Sequence, residues 1–486
     1  MNVNFGKLFI VGLEGTKLTK TIEAKLLELN PAGIIFYDTN IESREQVQEL
    51  ISSLRKLLGD NLIITVDQEG GKVERLRKIT TSLPSLQALG RASIKLGRER
   101  GLLFAREPLI DHSSVLAEEL SELGFNLVLG PCADISTNPL NPIIGTRSLG
   151  ADPVIVSEQL KIIIRTYQEH GIKSCAKHFP GHGDTSIDSH LALPIQRHTL
   201  DEYLLQLKPF IAATEAGTES VMIAHLISLI DYDSNGNIEL PASISARVIQ
   251  EELRNGLRFK GLVISDEITM KALAPYGSYS ELSQKMLEAG NNLVLWNSNL
   301  DDALQASRYL SERTKEENKS LYDSYHRSLE LLKTYDWQLN SKAISLPDKE
   351  TKMQKIIEAA IEWIKPIDEV RKILREGTTA VLVYDHPKLE MDIIKNIFKL
   401  DCYRFNGKES SVAFLEAYDN LFDNLLILSF QSVNNIDQDN FIIQLRNQEN
   451  WQIIQCSCDM PDNGAEVYLF GANRVHYRAL AEALGL

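Results

Sequence analysis

Eight short apolar runs recur before residue 300, and amphipathic stretches separate most of them. The runs are Leu8–Leu13, Gly33–Tyr37, Leu62–Asp67, Asn126–Pro131, Ser174–Phe179, Ser220–Leu226, Gly261–Asp266 and Asn292–Trp296. The intervening helix candidates include Ser43–Leu58, Pro153–His170, Leu200–Ala216 and Ser245–Leu253. Runs that are apolar at nearly every position suit strands buried on both faces, and parallel strands need crossover helices to connect them. Eight strand–helix repeats therefore predict a (β/α)₈ barrel over residues 1–335. An open doubly wound sheet would want a glycine-rich phosphate turn after the first strand, and Leu13-Glu-Gly15 does not supply one. At Ser43-Arg-Glu-Gln46 the spacing predicts a reciprocal capping box.

The helical stretch from Leu300 to about Tyr335 closes this domain. Residues 336–375 are expected to form a polar linker and a connecting helix. Over 376–486 the alternation restarts at Thr379–Tyr384 and continues through Asp392–Lys399, Leu425–Phe430, Phe441–Arg446, Trp451–Gln455, Glu466–Phe470 and Val475–Leu484. This predicts a smaller open α/β domain, with a structural role or one in dimerisation; monomer and homodimer both stay open.

Several function classes are disfavoured. A net charge of −15 argues against a nucleic-acid partner, which would be met by clustered positive charge. No stretch approaches the ~20 apolar residues of a membrane span. The apolar run near the N-terminus, Leu8–Leu13, is too short for a secretory signal, so a cytoplasmic location is expected. The five cysteines are scattered without zinc-type spacing and read as buried thiols.

Polar residues gather where the strands end. Asp67 ends the third strand, Asp134 follows the fourth, Lys177 and His178 end the fifth, His225 the sixth and Asp266 the seventh, with Trp296 and Asn297 at the eighth. Barrel active sites are built on that face. The densest stretch, Ala176 to His190, holds one Lys, three His and two Asp, and its Pro180, Gly181 and Gly183 exclude a continuous helix. His178 and His182 have the spacing of a helical metal pair, but Pro180 lies between them and no Glu follows His178, so no metal is expected. In Asp188-Ser-His190 the carboxylate can fix the imidazole tautomer and leave the other nitrogen free to move a proton. Asp266 and Glu267 are adjacent on a strand and point to opposite sides, so only one of them can face the barrel mouth.

Together these residues resemble glycoside hydrolase family 3, specifically its β-N-acetylglucosaminidase branch, over roughly residues 5–300. The resemblance rests on Gly33-Ile-Ile-Phe36, Asp67-Gln-Glu-Gly-Gly71 with Val73 and Arg75, Gly124-Phe-Asn126 with Pro131 and Asp134, and Ile144-Gly-Thr-Arg-Ser148. The Lys177–His190 run and Gly261-Leu-Val-Ile-Ser-Asp266 with Met270 complete it. It implies a retaining hydrolase that forms a covalent glycosyl-enzyme on Asp266, with Asp188 and His190 as acid/base. It further implies that Asp67, Arg75, Arg147, Lys177 and His178 hold the sugar hydroxyls and the N-acetyl group. The partner is then a small saccharide or muropeptide, with no cofactor. A phosphorylase on the same scaffold is the nearest rival, and a catalytically silent sugar-binding protein the second.

Two departures from the family pattern stand out. Asn291-Asn292 occupies a place where the family commonly has an Asp, with a structural consequence expected. The basic stretch Leu89–Arg106 is expected as a solvated helix face, with contact to an acidic aglycone as the other reading.

Overall fold

The computed structural model describes all residues except 1–2, 139–140, 186–192, 197–198, 232–239, 298, 316–317, 340–345, 385–390, 406–420, 431–435, 447–450 and 459–464. Eight parallel strands close into a barrel: β1 (Phe9–Gly12), β2 (Gly33–Phe36), β3 (Ile63–Val66), β4 (Leu127–Val128), β5 (Lys173–Phe179), β6 (Ser220–Ile223), β7 (Leu262–Glu267) and β8 (Leu293–Leu295). They follow one another in chain order, and β8 returns to β1 with Phe9 opposite Val294.

The strand alternation sorts side chains into two cores. Ile10, Ile35, Ile63, Leu127, Cys175, Met222, Leu262, Ile264 and Leu293 fill the barrel interior. Their neighbours Val11, Ile34, Ile64, Val128, Ala176, Val221 and Val263 pack outward under the helices. Burial on both faces is why these strands read as unbroken apolar runs.

Local signals set the helix ends. Thr199 and Ser278 form full capping boxes with Glu202 and Glu281. The box expected at Ser43 forms only in part: Ser43 accepts from Gln46 N, but the Gln46 amide oxygen accepts from Glu42 N, one residue earlier. Among the described residues, no helix is long and apolar enough to cross a membrane.

The stretch read as a polar connection carries a buried anchor. Trp337 joins the interior core at the end of the barrel where the strands begin. Its N–H donates to Asn61 Oδ1 at 3.0 Å, its carbonyl accepts from Asn126 Nδ2 at 2.6 Å, and Lys173 Nζ lies 5.2 Å from its ring. An isolated tryptophan in a polar run offers no periodicity, so only the closed barrel reveals this role.

The C-terminal sheet has six strands in the order β9-β14-β13-β12-β10-β11. These are β9 (Glu362–Trp363), β10 (Thr379–Tyr384), β11 (Asp401–Phe405), β12 (Asn424–Ser429), β13 (Gln452–Ser457) and β14 (Val467–Tyr468). All neighbours are parallel except β9 with β14. Strand β9 comes from the stretch expected as linker. Strand β11 is an edge strand with alternating burial, so no apolar run marks it in the sequence.

This domain docks on the barrel through the helix Leu86–Arg98, against which the helix Lys349–Ala360 packs. Arg91, expected on a solvated face, stacks 3.9 Å over the Phe470 ring and pairs with Glu362 at 2.8 Å. Ser85 Oγ donates to the Phe470 carbonyl. Glu74, wholly buried, accepts from Leu83 N at 2.7 Å and from Asn473 Nδ2 at 3.0 Å, and burial pushes its pKa up to about 7. Basic residues at helical spacing are ambiguous in sequence; here the docked domain turns one of them into an interface residue.

Candidate active site

The parity of the strands decides which residues face the barrel mouth. On β7, Leu262 and Ile264 point inward, so Asp266 does too. On β5 the same count runs from Cys175 to Lys177, and on β2 from Ile35 to Tyr37. Beyond β3 it runs from Ile63 to Asp67. The β5–β6 register shifts between Ala176 and Phe179. That irregularity puts consecutive Lys177 and His178 into one polar network, which strict alternation would not allow.

At the centre of the network is Glu69. After Asp67 the chain enters a small hairpin, Gln68–Gly70 against Val73–Glu74. Its turn uses Gly70 at φ 94°, where a Cβ would sit 2.2 Å from the Pro84 carbonyl oxygen. Glu69 accepts two parallel hydrogen bonds from Arg147, Nε and Nη2, both at 2.9 Å. Lys177 Nζ bridges Glu69 Oε1 and Asp67 Oδ1, each at 2.6 Å. Arg147 Nη2 also lies 3.2 Å from His178 Nε2, and His178 Nδ1 is 2.7 Å from Asp134 Oδ2. Asp134 additionally accepts from the backbone N–H of His178 at 3.1 Å and of His182 at 2.6 Å.

Burial would push Glu69 and Asp134 toward their neutral forms, but the groups paired with them overcome it. Arg147 and Lys177 hold Glu69 far below the usual carboxylate range. Burial also opposes the lysine charge, yet Asp67 and Glu69 hold the Lys177 ammonium above its ordinary value. Asp134 is likewise lowered against its burial, by His178 and His182.

Asp266 follows the same logic. Burial raises it, while His225, His178, the Glu267 N–H and Lys177 together bring it below its ordinary value, so it is ionised at neutral pH. Its Oδ1 accepts from Glu267 N at 2.8 Å. The neighbouring Glu267 turns elsewhere, accepting from Thr269 N at 2.9 Å, and burial raises its pKa. His225 bridges Ser243 Oγ at 2.7 Å and the Glu267 carbonyl at 3.0 Å, which fixes the end of β7. Burial and the charges of Glu267, Asp67 and Asp266 together raise the Tyr37 hydroxyl, so it remains a neutral donor.

Of the residues expected in the site, the structure brings Asp67, Arg147, Lys177 and His178 into one connected network. Arg75 joins through its backbone N–H, 3.4 Å from the Asp67 carbonyl, and its guanidinium lies 3.4 Å from Asp38. Asp188 and His190 lie outside the described residues. Trp296 is not at the mouth; it packs outward against Phe9 and Tyr279. The sequence marks Asp134 and His225 only as polar strand-end residues on the catalytic face, and gives Glu69 and Tyr37 no role of their own. For Glu69 the available signal was a carboxylate directly before a glycine pair.

Cys132, Asp134 and His178 offer donor atoms within 4.8 Å of one another, the geometry of a metal cluster. Their hydrogen bonding suits another state. Cys132 Sγ lies 3.2 Å from Asp134 Oδ2, and burial holds its thiol well above its ordinary pKa, so the protonated thiol donates to the carboxylate.

Residues 2–331 match the Glycosyl hydrolase family 3 N terminal domain. A protein named beta-hexosaminidase from Hydrogenovibrio crunogenus is 32% identical over 308 residues, covering 63% of this chain and 82% of its own. A glycoside hydrolase family 3 beta-N-acetylglucosaminidase from a Paenibacillus species superposes with a TM-score of 0.84 at 25% identity, covering 99% of this chain and 95% of that one. The structure of NagZ from Neisseria gonorrhoeae in complex with N-trifluoroacetyl-D-glucosamine gives a TM-score of 0.59 at 28% identity, covering 74% and 99%.

Proposed function

This chain belongs to glycosyl hydrolase family 3 and is a glycosidase, and from that premise we propose that it is a retaining β-N-acetylhexosaminidase. It releases terminal, non-reducing β-linked N-acetylglucosamine from a small saccharide. The observation that carries this reading is Asp266: inward-facing, at the carboxyl end of β7, and held ionised beside a cation-rich mouth.

In the first step Asp266 attacks the anomeric carbon and forms a glycosyl-enzyme, while His190, oriented by Asp188, protonates the departing oxygen. In the second, His190 takes a proton from water, which attacks the same carbon, breaks its bond to Asp266 and releases the sugar in the β configuration. Asp67 accepts sugar hydroxyl bonds. Lys177 and Arg147, already clamped by Glu69, present donors that need no reorganisation when charge develops on the substrate. Arg75 and His178 complete the cradle around the hydroxyls and the N-acetyl group. The natural substrate class is a cell-wall fragment, an N-acetylglucosaminyl-anhydromuramyl saccharide or muropeptide.

Turnover of aryl N-acetyl-β-glucosaminide and aryl β-glucoside, each with and without phosphate, tests this. The N-acetylglucosaminide alone should be turned over rapidly, releasing free sugar. A sugar 1-phosphate as the product would replace hydrolysis with phosphorolysis, and no turnover would leave a binding protein. His190→Ala should slow substrates with poor leaving groups by roughly 10²–10⁴-fold and activated aryl substrates far less in the first step. A uniform loss across leaving groups would remove His190 from proton transfer.

A further inference from the structure

A polar cavity of about 200 Å³ lies at the end of the barrel opposite the mouth. Its wall includes Arg254, Asn292, Ser324, Arg327 and Ser328, and none of its lining residues is acidic. Asn292 directly precedes β8 and Arg254 reaches the start of β7, so this is the end where the strands begin. That end is remote from Asp266.

The charge in this cavity is unbalanced. Arg254 donates from Nη1 to the carbonyls of Phe259 at 3.1 Å and Gly261 at 2.6 Å, and from Nη2 to Asn292 Oδ1 at 2.7 Å. Arg327 donates to Ser324 Oγ at 2.9 Å. Every one of these acceptors is neutral, and among the described residues neither arginine has a carboxylate partner. Burial pushes the Arg254 guanidinium down to about 10, the mark of a cation without a counter-charge. Taking a guanidinium out of water without an anion is costly, and a bound oxyanion removes that cost through charge-assisted hydrogen bonds.

We propose that this cavity is an anion-binding site, in which Arg254 and Arg327 take a small oxyanion of the phosphate class with Ser324 and Ser328 at hand as hydroxyl donors. Asn292 supports the assignment. Its Oδ1 accepts from both Arg254 and Val263 N, so an Asp there would place the missing negative charge within the protein. As Asn, it leaves that charge to be supplied from outside. Since the site lies at the stability end of the barrel, its occupancy reads out in unfolding and not in turnover.

The test is thermal unfolding of the full chain in inorganic phosphate against sodium chloride of matched ionic strength. Phosphate on the order of 10 mM should raise the midpoint by about 2 °C or more beyond chloride. Arg327→Gln, at an exposed position, should fold normally and lose that rise. Asn292→Asp should raise the midpoint without phosphate and remove the further gain. The proposal is overturned if phosphate does no more than chloride. It is equally overturned if both variants keep the full shift, which would place the ion elsewhere, including the catalytic mouth.

Discussion

Asp266→Ala should lose roughly 10⁴-fold or more in kcat on an aryl N-acetyl-β-glucosaminide, the scale seen when a covalent nucleophile is removed. The loss belongs to chemistry and not to folding. The side chain lies at the end of β7 beyond the apolar positions, and its removal leaves the Glu69 network intact. Binding of N-acetylglucosamine, followed by calorimetry, should therefore survive within about tenfold, since most binding contacts of a site lie away from the reacting atom. The wild-type enzyme should release the β anomer first, detectable by NMR before mutarotation. Full activity in the variant, or release of the α anomer by the wild type, would end the assignment of Asp266 as nucleophile.

Glu69→Ala should cost about 3–5 kcal/mol of stability, because it leaves Arg147 buried with no carboxylate and Lys177 with only Asp67. Chemical denaturation at neutral pH measures this directly. The same residue sets an acid sensitivity. The folded-state pKa of Glu69 is depressed from an ordinary value of 4.5, so its contribution is complete above about pH 4.5 and is lost as the pH falls toward the folded value. The difference between wild type and variant should shrink across that window. A constant difference down to pH 3 would mean that the cost comes from packing alone. Activity should fall as well, since Lys177 and Arg147 are held in place by this carboxylate; Glu69→Gln, which keeps the shape, should restore packing but not the charge balance.

Much of the barrel is legible in the chain because its strands are buried on both faces. Such strands leave a period-free apolar signature that recurs at each repeat, and the polar ends of these runs then mark the catalytic face. The boundaries are less legible. Asn126–Pro131 reads as a six-residue strand; the regular ladder of β4 covers only Leu127–Val128, while Asn126, Leu129, Gly130 and Pro131 hydrogen-bond irregularly to β3 and β5. In the C-terminal domain the edge strand β11 alternates polar and apolar residues, so no apolar run marks it. The basic stretch around Arg91 shows the converse, where a charged residue is buried by a surface from a distant part of the chain.

Sequence alone placed Asp266 and Glu267 at the end of the seventh strand and allowed only one of them to face the mouth; that it is Asp266 follows from Leu262 and Ile264 pointing inward in the closed barrel. The sequence also determined that Asp67, Lys177 and His178 lie on the same face. Only the tertiary structure decided how these residues are charged and held. Barrel closure brings the hairpin after β3, the loop before the helix Pro153–Glu169 and the end of β5 within 3 Å of one another around Glu69. Residues 67, 69, 147 and 177 share no spacing, and the Coulomb energy that sets their protonation depends on distances the chain order does not contain.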